Sequence, residues 1–174
     1  MGVDPGLMAT GFGVLETRPG GVTVVDVGVV STAPGQSLEA RLHTIYGAMY
    51  RLIEGQAPRL LIVEDLYTEY KFPRTAVLMG HARGIIYLAA RQLGVTLLAL
   101  TPSEVKRAVT GNGAAGKAQV QRAVQTLLGL ESLPRPSHAA DALALAITGM
   151  ARALGRVPVP RAPATPASSR LSPP

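Results

Sequence analysis

An α/β domain built on a mixed sheet is the fold class this sequence predicts, and three observations predict it. Three β-like stretches come first, joined by short turns rich in glycine and proline. Helical and strand patterns then alternate. One continuous apolar run, Leu60-Leu61-Ile62-Val63, has the character of a parallel strand covered on both faces. At 174 residues, 47% of them hydrophobic, the chain suits a single domain with a sizeable core.

The first stretch is short: an apolar run stops at Asp4, and Pro5-Gly6 turns the backbone. Thr10 to Glu16 and Gly21 to Val30 read as two strands joined around Pro19-Gly20, the second rich in β-branched residues. With the first they form an antiparallel meander. Leu38 to Gly55 has helical spacing, with Leu38, Leu42, Ile45, Met49, Leu52 and Ile53 on one face. Arg59 to Val63 is the buried strand and runs into Glu64. Thr75 to Leu93 follows as a helix that is apolar on more than one side, hence buried or shared with a second subunit. Val95 to Leu100 is another strand. Pro102 opens a short helix carrying Lys106 and ending at Gly111.

The glycine-rich stretch 111–116 reads as a mobile loop that delivers Lys117 to a helix running to about Leu130. Ser137 is placed to cap a final helix from His138 to about Leu154. The domain is expected to span residues 1–156. Residues 157–174 hold six of the fourteen prolines with Ala, Ser and Thr, the composition of a disordered tail.

Composition narrows the partners. Seventeen basic against eleven acidic residues give a formal charge of +6 and a pI near 10.2. Such an excess suits solubility or a polyanion, and nucleic acid is the stronger reading because each neutralised phosphate releases counterions. Cysteine is absent, which excludes disulfides and thiolate metal sites and suits the cytoplasm. Neither a membrane-length apolar run nor a secretory leader is visible, so no membrane partner is expected. The segment Tyr67 to Arg74 interleaves Tyr67, Tyr70 and Phe72 with Lys71 and Arg74, a mixture suited to stacking on bases and pairing with phosphates.

Taken alone, Asp4 could merely start a turn. Glu64, however, also ends an apolar strand, and the carboxyl ends of parallel strands are where open α/β sheets hold ligands. His138 and Asp141 stand at i and i+3, neighbours on one helical face, and the rest of that helix is apolar and must lie on the sheet. Three carboxylates and an imidazole brought together repel one another unless a cation intervenes. Oxygen donors point to Mg²⁺ or Mn²⁺. Two such ions about 4 Å apart can flank a phosphodiester, one activating water and one stabilising the leaving oxygen. Gly111 to Lys117 spells a near-match to a phosphate-binding P-loop. Ala118 stands where that motif needs a hydroxyl, and a helix precedes it where a strand is required. Lys117 is instead expected to meet a phosphate as a point charge.

These motifs together (Val3-Asp4-Pro5-Gly6 followed by Gly11-x-Gly13-Val14, the strand ending Ile62-Val63-Glu64, Val105-Lys106, Gly116-Lys117, and His138-Ala139-Ala140-Asp141-Ala142-Leu143-Ala144) resemble the RuvC family of Holliday-junction resolvases from Met1 to about Leu154. The resemblance implies an RNase H-like fold with a five-stranded mixed sheet, three strands antiparallel and two parallel, flanked by helices. It implies a homodimer that nicks four-way DNA junctions symmetrically, leaving 5′-phosphate and 3′-hydroxyl ends, in recombination and repair. It implies that Asp4, Glu64, His138 and Asp141 hold two Mg²⁺ or Mn²⁺ ions. Lys117 and Lys106 would contact the junction near the scissile phosphate, and Tyr67 would stack on an unpaired base, a role that agrees with the reading of its patch, with Lys71 and Arg74, as DNA-binding. A branch-migration helicase complex is a partner implied in the same way.

Two features depart from the pattern. Position 138 is aspartate in some members and histidine in others; here it is histidine, which lowers the negative charge and either favours Mn²⁺ over Mg²⁺ or lets the ring help position water. The first strand also begins almost at Asp4, shorter than is usual. Two other readings stand beside the resolvase: a junction-binding protein without catalysis, its metal site broken by the histidine, and an ATPase of the actin and sugar-kinase type, for which the chain is about half the required length.

Overall fold

Strand β1 (Gly2–Asp4) is only three residues long, yet it lies at the centre of a five-stranded sheet of order β3-β2-β1-β4-β5. The computed structural model describes residues 1–65 and 73–155, the side chains of Pro73 and Arg74 excepted. Within them, β2 (Ala9–Arg18) and β3 (Gly21–Ser31) complete the antiparallel meander, while β4 (Leu60–Glu64) and β5 (Thr96–Leu100) add in parallel. Helices α1 (Leu38–Gln56) and α2 (Pro73–Gln92) flank the sheet together with α3 (Pro102–Thr110), α4 (Lys117–Leu128) and α5 (Ser137–Leu154). The mixed five-stranded sheet is the one the sequence implied.

The continuous apolar run in β4 is explained by burial on both faces. Leu61 and Val63 join a core with Ile45, Met49 and Ile53 of α1 and Ala82, Ile86 and Ala89 of α2. Ile62 points the other way, into a core with Val105, Val120, Val124, Leu143 and Leu145 from α3, α4 and α5. Side chains alternate across a strand, so a strand covered twice has no polar face to show.

Helix α5 lies close on the sheet because glycines line its bed. A Cβ at Gly2 would collide with the carbonyl oxygen of Ala142, one at Gly11 with that of His138, and one at Gly13 would come 2.8 Å from Leu143 Cδ2. Helix backbone therefore rests almost on strand backbone.

Two local expectations differ from the structure. Pro136, not Ser137, is the N-cap of α5; Ser137 is already helical, and no side chain caps this helix. The loop 111–116 is tied down. Asn112 N–H donates to Thr110 Oγ1 at 3.1 Å, Ala114 N–H to Asn112 Oδ1 at 2.9 Å, and Gly116 N–H to Gln119 Oε1 at 2.8 Å. Ala115 is buried among the α3–α5 residues. Composition alone suggested freedom; short polar side chains bonding the nearby backbone remove it. The P-loop match is decoration: Gly111, with φ of 77°, is the left-handed cap that ends α3. The aromatic–basic segment 67–72 and the proline-rich tail lie outside the described residues.

Candidate metal and phosphodiester site

β1 and β4 run in parallel with Val3 beside Val63, so the next residues, Asp4 and Glu64, emerge together at the carboxyl edge of the sheet. α5 begins at that edge, since Gly11, the β2 partner of Asp4, lies under the carbonyl of His138. The result is a pocket of about 240 Å³ lined by Asp4, Glu64, Lys106, Lys117, His138 and Asp141, with Pro102, Val105, Val120 and Ala144 forming its apolar wall. All six chemistry-bearing residues singled out among the described ones meet there. Tyr67 and Lys71 lie outside the described residues, as does the side chain of Arg74.

Three helices begin at this pocket. Pro102 is the first residue of α3, Lys117 the first of α4, and His138 the second of α5. The positive ends of their dipoles favour anions in the space between them. The α3 start is the best secured. Thr101 Oγ1 accepts from Glu104 N–H while Glu104 takes the N–H of Thr101, and Arg152 bridges from α5 at 2.8 Å.

The carboxylates feel one another. Burial, then the charges of Asp4 and Asp141, push Glu64 up to about 7, with Lys106 and Lys117 acting the other way. Asp141 is raised as well, by burial and then by Asp4, opposed by Lys117, His138 and Lys106. A group held up by its like-charged neighbours marks negative charge in excess of what the protein's own cations balance. His138 Nδ1–H donates to Asp4 Oδ2 at 2.7 Å, leaving Nε2 as the ring nitrogen not engaged by that carboxylate. Among the described residues no three donors already form a cage around a cation. The donor set nevertheless has the right chemistry for a hard divalent ion: carboxylate oxygens, one imidazole and surplus negative charge.

A larger cleft of about 510 Å³ lies at the other end of the sheet, between Met1, Leu15, Leu60, Met150 and Leu154. Among the described residues Glu16 and Arg59 carry its only charged side chains, so it holds no comparable constellation. Sequence reasoning missed Gly11, whose bare Cα sets how near α5 can come; the Gly11-x-Gly13 spacing on a strand was the available signal. Among the described residues no helix is long and apolar enough to cross a membrane.

Residues 1–149 match the family model described as crossover junction endodeoxyribonuclease RuvC. A relative of that name from Moorella thermoacetica is 45% identical over 147 residues, covering 84% of this chain and 87% of its own. Another, from Rhodopirellula baltica, is 40% identical over 149 residues, 86% of this chain and 84% of its own. The structure of Thermus thermophilus RuvC in complex with Holliday junction substrate superposes with a TM-score of 0.80 at 34% identity, covering 91% of this chain and 97% of that one. The sheet order and its helices are thus those of an RNase H-like fold, and the chain belongs to the RuvC family of crossover junction endodeoxyribonucleases.

Proposed function

We propose that this chain resolves four-way (Holliday) DNA junctions by hydrolysing one phosphodiester in each of two symmetric strands, at the pocket between β1, β4 and α5. The observation that carries the reading is the convergence of Asp4, Glu64 and Asp141 with His138, flanked by Lys106 and Lys117. Asp4, Glu64, His138 and Asp141 would hold two divalent cations, Mg²⁺ or Mn²⁺, which when bound supply an activated water and stabilisation of the leaving oxygen. The chain's own groups do the rest. Lys117 and Lys106, from two helix segments, offer positive charge to the non-bridging oxygens of the phosphate and hold it in place. The Asp4–His138 hydrogen bond orients the imidazole so that Nε2 keeps a lone pair for a cation. The products are a 5′-phosphate and a 3′-hydroxyl.

Two symmetric cuts call for two copies. Support comes from α2, where Val77 is 60% and Leu88 51% exposed. Eleven residues apart, they share one helical face, which a second chain would cover. Tyr67 is assigned to stack on an unpaired base at the crossover, and Lys71 and Arg74 to nearby phosphates.

The second reading, a junction binder without catalysis, draws on His138 being engaged with Asp4 and on the absence of a ready cage among the described residues. One assay separates them. A labelled four-way junction incubated with Mn²⁺ should yield paired nicks that EDTA prevents; binding without nicks at every Mg²⁺ and Mn²⁺ concentration would leave the second reading.

A further inference from the structure

Glu64 carries no side-chain hydrogen bond among the described residues, so its place in the pocket depends on where the backbone at the end of β4 is held. That backbone is anchored one residue later. Asp65 N–H donates to the carbonyl of Leu100 at 2.7 Å, extending the ladder past the last β4–β5 pair, Glu64 with Leu100. The Asp65 carboxylate accepts from Arg83 Nη2 at 2.7 Å, and the two side chains are 39% and 20% exposed. Arg83 is itself fixed: its guanidinium carbon stands 4.5 Å over the ring of Tyr87, one helical turn along α2. Its Nε is buried with no partner among the described residues, so the head is steered by Asp65 and the ring. A planar guanidinium stacked on an aromatic ring has little freedom left, and a lysine ammonium could not reproduce the stacking in full.

We infer that Arg83, through Asp65, is a positioning residue for Glu64: it ties the strand end that carries this carboxylate to α2. For the reaction it serves, the inference rests on the proposed function. It adds that α2, whose outer face is assigned to a second copy, also supports the pocket from its inner face. Disturbing Arg83 then alters the cation site without touching any group that faces DNA in the pocket.

The test uses the full chain with Arg83→Met, Arg83→Lys, Asp65→Asn and the Arg83→Met/Asp65→Asn double variant. Mn²⁺ binding without DNA is read by calorimetry, junction affinity by gel shift in EDTA, and cleavage rate under single-turnover conditions. Arg83→Met and Asp65→Asn should each weaken Mn²⁺ binding severalfold and slow cleavage by about tenfold, a modest share of what a 1 Å displacement can cost. Junction affinity should stay within about twofold, since no phosphate contact is removed. Arg83→Lys should recover part of the loss, and the double variant should be no worse than the more affected single one, because both remove the shared contact. Unchanged Mn²⁺ affinity in Asp65→Asn, which keeps the shape of the side chain, would overturn the inference, even if Arg83→Met failed to fold. So would additive losses in the double variant. A wild-type chain that binds Mn²⁺ but never cuts would instead count against the proposed function, and the calorimetric arm would still decide the role of Arg83.

Discussion

Helix α5 is buried along nearly its whole length from Ala139 to Gly149, whereas α2, among its described side chains, keeps only Ala82, Ile86, Ala89 and Ala90 fully covered and turns Val77 and Leu88 outward. Both sequences are apolar on more than one side. What separates them is the surface beneath. The sheet face under α5 is floored with Gly2, Gly11 and Gly13, so alanines can lie flat on it and the approach is set by backbone contacts. Under α2 the neighbours are the larger side chains of α1, and one face is left over. An apolar helix thus serves position where its bed is glycine, and where its bed is not it keeps a face for the second copy proposed above.

The sharpest way to break this contrast is at the chemistry α5 carries. Asp141→Asn should lower cleavage by on the order of 10²–10³-fold, the scale for losing one essential electrostatic group, while a gel shift finds the junction still bound. Normal cutting by that variant would detach α5 from the reaction.

The next effect tests the bed itself. Gly11→Ala forces a methyl group against the His138 carbonyl and should cost about 1–3 kcal/mol in urea unfolding, as overpacked sites do. Gly84→Ala on α2 meets open space and should instead gain up to about 1 kcal/mol from helix propensity. A loss at Gly84 would mean that the proposed second copy reaches the α2 backbone there.

The pocket's charge gives a pH signature. Glu64 holds its proton more tightly folded than unfolded, so its contribution to the stability of the metal-free protein falls as pH rises from 4.5 to about 7 and is level above that. Asp141, also raised, adds in the same direction. Mn²⁺ should therefore raise the melting temperature more at pH 8 than at pH 5, because ionised ligands bind it. An equal rise at both values would show that the carboxylates are not the ligands.

The smallest effect on folding belongs to the outer face of α2. Leu88→Ser should change monomer stability by no more than about 0.5 kcal/mol, as exposed substitutions do. Sedimentation should show the dimer dissociating at concentrations where the parent chain stays paired, and an unaltered dimer would move the interface elsewhere.

Much of this was legible in the chain because it is written in local patterns. A carboxylate closing an apolar run marks a strand end, and His138 with Asp141 at i and i+3 mark one helical face. Those two rules are enough to bring Asp4, Glu64, His138 and Asp141 to a common edge. The rest needed three-dimensional neighbours. Nothing in the order of residues ties Asp65 to Arg83, eighteen positions on, or sets Gly11 beneath His138. Local rules also misled where two of them competed. Ser137 has the chemistry of a cap, but the helix begins at Ser137 itself with Pro136 as its cap. Glycines 111, 113 and 116 suggested a loose loop, but Asn112 and Gln119 bond its backbone into a fixed turn.

The bare floor beneath α5 has a consequence for anyone wishing to transplant this chemistry. Copying Asp4, Glu64, His138 and Asp141 onto another scaffold of the same topology would reproduce the list of side chains and not their spacing, since any side chain on the receiving strands would prop the helix up by roughly the width of a methyl group. A working graft would have to carry the glycine-bearing strands β1 and β2, the strand β4 that ends in Glu64, and the helix, so the smallest unit that can be moved is a four-piece laminate, not a signature of side chains.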